Sequence, residues 1–318
     1  MRSEAPFDLI STARTASERR IRISSSQLTA IRRIISRTPE VMIKVLNRGA
    51  FTARAVSKHV RYISRDGDVN LESEAGEVLQ DDREDHLEGW DLDLEEARPH
   101  SRLDAGRRDA PRLVHKIIFS MPARTPPSMV LESVRDFARE EFALKHRYLL
   151  ALHTDQPHPH VHMVIKATSE QGHRLYIRKS TLKEWRHEFA KHLRHHGVAA
   201  NASERAVRGS TTPRMRDAMF RIFRDVRGGR YSPHMDAKLQ TAEQVRLMTD
   251  PESEKGARRL KATRHEVERG WRSAAAVLAQ QGEHELAASI LEFTRQMPPP
   301  LTEQQRIAER LREKVALR

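Results

Sequence analysis

Between His153 and Ile165 the chain reads His153-Thr-Asp155-Gln-Pro-His158-Pro-His160-Val-His162-Met-Val-Ile165, four imidazoles and a carboxylate within ten residues, with aliphatic runs on both sides. Side chains alternate along a strand, so His160 and His162 face the same way, about 6.5 Å apart, and Val161 faces the other. Two imidazoles so placed can reach one metal ion. His158 has the same parity but would stand about 13 Å from His162 along an extended chain, too far for the same ion. It reads as a turn residue or a DNA contact. His153 is the better third ligand, because a hairpin turn over residues 154–158 would bring it beside His160 and His162. Three neutral imidazoles, with positions left for water and a phosphate oxygen, suit Mn²⁺ or Zn²⁺ on ligand softness and Mg²⁺ less well. Asp155 is placed to hold a histidine's second nitrogen or to take a proton.

A cation held this way fits phosphodiester chemistry. Negative charge builds on the non-bridging oxygens and on the leaving 3′ oxygen, and a metal clamp stabilises and orients both. A tyrosine attacking phosphorus would keep the bond energy in a covalent 5′-phosphotyrosine, so that rejoining needs no ATP. The chain offers four tyrosines, Tyr62, Tyr148, Tyr176 and Tyr231. Tyr148 and Tyr176 lie in strand-like stretches, and Tyr231 lies in a Gly-Gly-Arg-Tyr-Ser-Pro loop. Tyr62 ends a helical stretch and is followed by Ser64-Arg65-Asp66-Gly67. From there its side chain could project towards a sheet. Helical spacing puts Ala55, His59 and Tyr62 on one face and Val56, Val60 and Ile63 on the next. His59 is either a phosphate or tyrosine contact or a solvated helix residue. Arg61 and Arg65 are placed to follow a DNA backbone. Ser120 is a DNA contact or an everyday turn former at a strand end.

The elements that must position these groups are readable in outline. Strands are expected at 41–46, 113–120, 147–153 and 159–166, with a short one at 175–177. Helices are expected at 51–63, from Ser128, as its cap, to about Leu144, and from 180 to Gly197. Past Gly197 only helical patterning remains, at 214–226, 239–248, 255–281, 284–295 and 302–316. The fold class is therefore α+β near residues 40–200, followed by a helical C-terminal region. The expected organisation is a basic N-terminal arm (1–38) with a small helix over Gln27–Ile35, a nuclease-sized domain (39–210) and the helical region (211–318). Residues 68–110 form an acidic insertion, read as solvated, with one strand or turn around Trp90–Leu94.

Composition narrows the partner. The net charge is +13, yet thirteen carboxylates and a single Arg lie between Asp68 and Glu96, so the remainder is more basic still. Lys and Arg that neutralise phosphates release condensed counterions, and a nucleic acid is the expected partner. Membrane or ribosome contacts are the alternatives on charge alone. There is no cysteine, which excludes disulfides and thiolate metal sites. No apolar stretch of secretory or membrane-spanning length occurs, so a cytoplasmic protein without membrane insertion is expected. No G-x-x-x-x-G-K-[ST] sequence supports a nucleotide-driven motor.

The string HTDxxHPHxH followed by aliphatics closely resembles the third signature motif of the MobA/VirD-type relaxases, in the HUH endonuclease superfamily. His59-Val-Arg-Tyr62-Ile-Ser-Arg-Asp-Gly67 is similar to the family's first motif, which carries the nucleophilic tyrosine. Phe119-Ser120-Met-Pro122 is similar to the second, where a serine contacts DNA near the nick. Leu182-Lys-Glu-Trp185-Arg-His-Glu-Phe189 through Gly197 resembles the helix that closes the domain. Motif order and spacing agree over about residues 40–210, with an acidic segment long for an inter-motif connection.

The resemblance implies a central antiparallel sheet flanked by helices and a relaxase that nicks one strand at a plasmid or integrative-element origin of transfer. It implies Tyr62 and Asp155 as catalytic residues, His153, His160 and His162 as ligands of a divalent ion (Mg²⁺ or Mn²⁺), and His59, Arg61, Arg65, Ser120 and His158 as DNA contacts. Religation after conjugative transfer, relaxosome accessory proteins, a type IV coupling protein and delivery from a bacterial cytoplasm into a recipient cell follow as expectations. The alternatives are a rolling-circle replication initiator, whose tyrosine generally follows the histidine motif, a non-catalytic DNA-binding relaxosome component, and a metal hydrolase of small substrates.

Overall fold

The computed structural model of the protein describes residues 22–46, 51–79, 84–97, 111–210, 255–302, 305–306 and 309. The expected helices at 214–226 and 239–248, most of 302–316, most of the N-terminal arm and Tyr231 lie outside the described residues. The chain divides into two compact units, one of residues 37–202 and one joining 1–36 to 203–318.

The first unit is built on six antiparallel strands: β1 (Met42–Leu46), β2 (Leu71–Ser73), β3 (Val78–Leu79), β4 (Val114–Ser120), β5 (Tyr148–His153) and β6 (His160–Lys166), in the spatial order β1-β4-β6-β5-β2-β3. The helices are α2 (Ala53–Ser64), the short α3 (Leu92–Ala97), α4 (Pro127–Phe142) and α5 (Lys179–His195). The α+β sheet architecture is the one expected.

Strand alternation divides the sheet into two faces. One carries Ile43, Ile117, Phe119, Leu150, Val161, Met163 and Ile165. It packs against Val134, Phe137 and Phe142 of α4 and Trp185, Phe189 and Leu193 of α5. The other carries Val114, Val164, Leu149, Ala151 and Leu71, which pack against Val56, Val60 and Ile63 of α2 and against Trp90 and Leu92. The trio of histidines continues this second face.

Local chemistry explains why α2 lies where it does. Its first amides are satisfied twice, by the Thr52 side chain, which accepts from the Ala55 N–H at 3.2 Å, and by Glu96, which accepts from the Ala53 N–H at 2.8 Å. Carboxylates at a helix N-terminus also complement its dipole. Val56, Val60 and Ile63 recur at helical spacing and are buried. The helix stops because Arg65 turns left-handed (φ +54°), followed by Asp66 (+56°) and Gly67 (+97°).

Three local expectations change. In its described part the acidic segment is not simply a solvated insertion: β2 pairs with β5, and Leu71, Trp90 and Leu92 are buried. Its Glu72, 9% exposed, is held by Arg135 of α4 at 2.6 Å. Around Trp90–Leu94 a turn leads into α3, whose first-turn Asp93 and Glu95 suit a helix start. Helix α4 opens on Pro126 and Pro127 with no side-chain cap, so Ser128 is not its cap; proline needs no amide partner in a first turn. Residues 175–177 form no strand. β6 already has β4 and β5 on its two edges, so this stretch runs alongside with an isolated Thr168–Arg174 bridge and a 2.8 Å bond from the Leu175 N–H to the Ala167 carbonyl.

The second unit contains α1 (Ser25–Ile35), α6 (Lys255–Gln280) and α7 (His284–Arg295). Ile31 and Ile34 of α1 share a core with Val267, Trp271 and Leu278 of α6 and Ile290 and Phe293 of α7. The Trp271 indole N–H donates to the Val207 carbonyl at 2.9 Å. Among the described residues no helix is long and apolar enough to cross a membrane.

Candidate metal and tyrosine site

The β5–β6 hairpin brings the three histidines together as its spacing predicts. His153 pairs directly with His160 across the strands, and Ala151 pairs with His162. Ring centroids stand 5.2 Å apart for His153–His160, 4.5 Å for His153–His162 and 5.2 Å for His160–His162. One ligating nitrogen from each lies within 4.8 Å of the other two.

Hydrogen bonds decide which nitrogens are available. His153 Nε2 lies 2.7 Å from the Ile63 carbonyl and His160 Nδ1 lies 3.1 Å from the His158 carbonyl. A carbonyl only accepts, so these nitrogens carry the protons. The lone pairs are then on His153 Nδ1 and His160 Nε2. This is the arrangement in which a ligating imidazole is oriented through its other N–H. Burial, together with the neighbouring imidazoles, pushes His162 down to about 3. His153 is lowered by burial and then by Arg65, despite its bond to Ile63. Neutral rings with free lone pairs fit a borderline transition ion, and the donor set passes that test of chemistry.

Tyr62 stands at the edge of the same patch. Its ring centroid is 6.5 Å from that of His162, edge-on, and the side chain is 55% exposed. His59 stacks on Tyr62 at 6.0 Å and meets His162 at 6.3 Å. Burial, and then the nearby Lys116, lower the His59 imidazole to about 4. Arg65 reaches back from its left-handed position: its guanidinium carbon lies 5.4 Å from the Tyr62 ring centroid, and Nη2 lies 2.6 Å from Asp155 and 3.4 Å from His153 Nδ1.

The remaining expected residues divide. Ser120, buried, pairs with His160 on β4 and so faces the trio's patch. Arg61 is exposed on α2 beside Tyr62. The His158 imidazole is exposed in the turn, and only its carbonyl serves the trio. Asp155 is also exposed, and its carboxylate goes to Arg65 rather than to a histidine's second nitrogen. Those nitrogens use backbone carbonyls instead. Tyr148 is buried on the opposite face, its phenol pushed up to about 12 by burial.

Lys116 was not legible as a site residue. It is 7% exposed and, being two positions from Ile118 (the partner of His162), lies on the histidine face. A lysine amid apolar strand neighbours was the available signal. A further cluster, Glu140, Glu188 and His192, brings ligand atoms within 4.8 Å on α4 and α5. There the Lys191 ammonium already supplies a cation, 2.7 Å from Glu188 and 3.8 Å from Glu140.

Comparison with known proteins gives a family match and curated relatives. Residues 62–198 match the family described as "Relaxase: MobA/VirD2-like, nuclease domain". The chain is similar to the T-DNA border endonuclease VirD2 of Agrobacterium fabrum, 27% identical over 197 residues, which is 57% of this chain and 43% of that protein. The VirD2 of Rhizobium radiobacter is 27% identical over 185 residues, 54% of this chain and 43% of its own length. The matches thus span less than half the length of these relatives. A solved structure described as "Molecular Basis of Vancomycin Resistance Transfer in Staphylococcus aureus" aligns at a TM-score of 0.32 and 15% identity, over 52% of this chain and 99% of that one, too loose a likeness to bear on the site.

Proposed function

We propose that this chain nicks one DNA strand at an origin of transfer through Tyr62, a reading supported by the match of residues 62–198 to the MobA/VirD2-like relaxase nuclease-domain family. The observation that carries the reading is the 6.5 Å approach of the Tyr62 ring to His162, within the patch formed by three converging imidazoles.

In this mechanism His153, His160 and His162 hold a divalent ion, Mn²⁺ or Mg²⁺, which supplies charge stabilisation at the scissile phosphate. The Tyr62 phenolic oxygen attacks phosphorus, forming the O–P bond as the bond to the 3′ oxygen breaks, and the 3′ oxygen takes a proton from water and leaves as a hydroxyl. The exposed phenol gives up its own proton by way of water to Asp155. His59 stacks against the tyrosine ring and limits its rotation. Arg61 and Arg65 take phosphate oxygens beside the nick, and Ser120 and Lys116 line the sheet surface over which the strand lies. The 5′-phosphotyrosine preserves the bond for the reverse reaction, which recircularises the strand in a recipient cell.

The names of the relatives, T-DNA border endonucleases, support DNA cleavage at a defined site. Passage of the adduct through a type IV secretion system, with a coupling protein and accessory relaxosome proteins, from a bacterial cytoplasm, belongs to the same proposal. The test is incubation of the full chain with Mn²⁺ and fluorescent single-stranded oligonucleotides tiled across the mobile element's intergenic DNA, followed by a denaturing gel. A slow-migrating protein–DNA band, lost with EDTA and with Tyr62→Phe, is expected. Cleavage without an adduct, or an adduct retained by Tyr62→Phe, would overturn the assignment.

A further inference from the structure

Arg65 lies where a cation is expected. Its Nη2 stands 3.4 Å from His153 Nδ1. The other nitrogen of that ring, Nε2, is committed to the Ile63 carbonyl at 2.7 Å. His153 therefore has one lone pair, on Nδ1, and a guanidinium, which only donates, is directed at it. The same guanidinium nitrogen is anchored at 2.6 Å by Asp155, from the turn that joins the two histidine strands. Its planar group also lies 5.4 Å from the centroid of the Tyr62 ring. One residue thus touches the ligand set, the hairpin turn and the nucleophile.

Its backbone makes this reach possible. Arg65 caps α2 in a left-handed conformation, φ +54°, an uncommon state for a residue with a Cβ. That conformation sends the side chain back across the helix end towards the hairpin instead of onward into solvent.

We propose that Arg65 is a built-in placeholder for the divalent ion. Resting on the cation reading above, it holds the His153 lone pair while the ion is absent, and the ion's arrival displaces it. A lone pair serves one acceptor role at a time, so the ion and the guanidinium exclude each other at Nδ1. Displacement leaves the guanidinium tethered near Asp155 and Tyr62, released to take a phosphate oxygen in the fork geometry arginine favours. Loading of the ion and arming of the DNA contact become one event. The placeholder also shields three close imidazoles from binding stray cations.

The test is calorimetric titration of the full chain with Mn²⁺ alone, without DNA, in 0.1 M and 0.5 M NaCl. Arg65→Asn is the chosen variant, since asparagine tolerates the left-handed conformation, and Arg65→Gly repeats it with no side chain. His162→Asn identifies the heat that belongs to the trio. Loss of a charge-assisted competitor predicts binding about tenfold tighter in both Arg65 variants, with the gain persisting at high salt. Unchanged or weaker binding overturns the placeholder. A gain that vanishes in 0.5 M NaCl overturns it too, because simple charge repulsion is screened there. If neither the native chain nor the variants take up Mn²⁺ at the trio, the cation reading itself fails.

Discussion

The two faces of the sheet are made from the same strands and behave as different materials. The face towards α4 and α5 is closed with aromatic rings: Phe119, Phe137, Phe142, Trp185 and Phe189 are all 2% exposed or less and meet tilted or edge to face, with centroids 5.1 to 6.0 Å apart. The other face is closed in part by α2, Trp90 and Leu92, and also carries His153, His160, His162, Ser120 and Lys116. Alternation along each strand makes the division possible, because every second residue is free of the demands of its neighbours. Stability is concentrated on one side so that polar, reactive groups can be held rigidly on the other.

That contrast can be broken from either side. The largest effect is expected for Tyr62→Phe on the exposed rim, where adduct formation should fall by at least about 10⁴-fold. Its melting temperature should stay at the native value, since the lost hydroxyl belongs to an exposed side chain. A drop in stability would mean that Tyr62 belongs to the core. Phe137→Ala on the closed face should do the converse, costing about 3–5 kcal/mol in denaturant unfolding. Metal uptake by its folded fraction should match that of the native chain, and loss of uptake there would show that the faces are coupled.

His162→Asn should weaken Mn²⁺ binding by about 100-fold or more while the chain stays folded. Retention of native affinity would take His162 out of the ligand set. A separate effect is with pH. His59 and His115, lowered to about 4 chiefly by burial, and His162, lowered to about 3, are neutral when folded, whereas in the unfolded chain they take a proton near 6.5. Above pH 6.5 they contribute no difference. As the pH falls from 6.5 towards 4 the unfolded state binds more protons, so stability declines, by at most about 1.4 kcal/mol per pH unit for each histidine. Chemical denaturation at pH 7, 6 and 5 reads this slope, and a flat profile would refute the buried neutral state.

What could be read in advance follows the range of the interactions. The histidine trio was legible because parity and a short turn are local; the hairpin keeps the parity and pairs His153 with His160, with residues 154–159 as the connection where 154–158 was expected. Strands β4, β5 and β6 and helices α2 and α5 announce themselves by apolar periodicity. The contributions of residues 71–97 did not. Leu71-Glu72-Ser73 is three residues long, and Glu72 looks solvated until Arg135, 63 positions away, is placed against it. The partner of Asp155 was hidden likewise: Arg65 is 90 residues earlier and reaches it only through a left-handed backbone. Nor does any local pattern say that α1 packs with α6 and α7, although its amphipathic run was visible.

The central claim is that three imidazoles on β5 and β6 hold a divalent ion beside Tyr62. Anomalous diffraction from crystals of the full chain soaked in Mn²⁺ tests it most directly. The account predicts a peak bonded to His153, His160 and His162, with Arg65 withdrawn from His153. No peak between those rings, or one only at Glu140, Glu188 and His192, would contradict it.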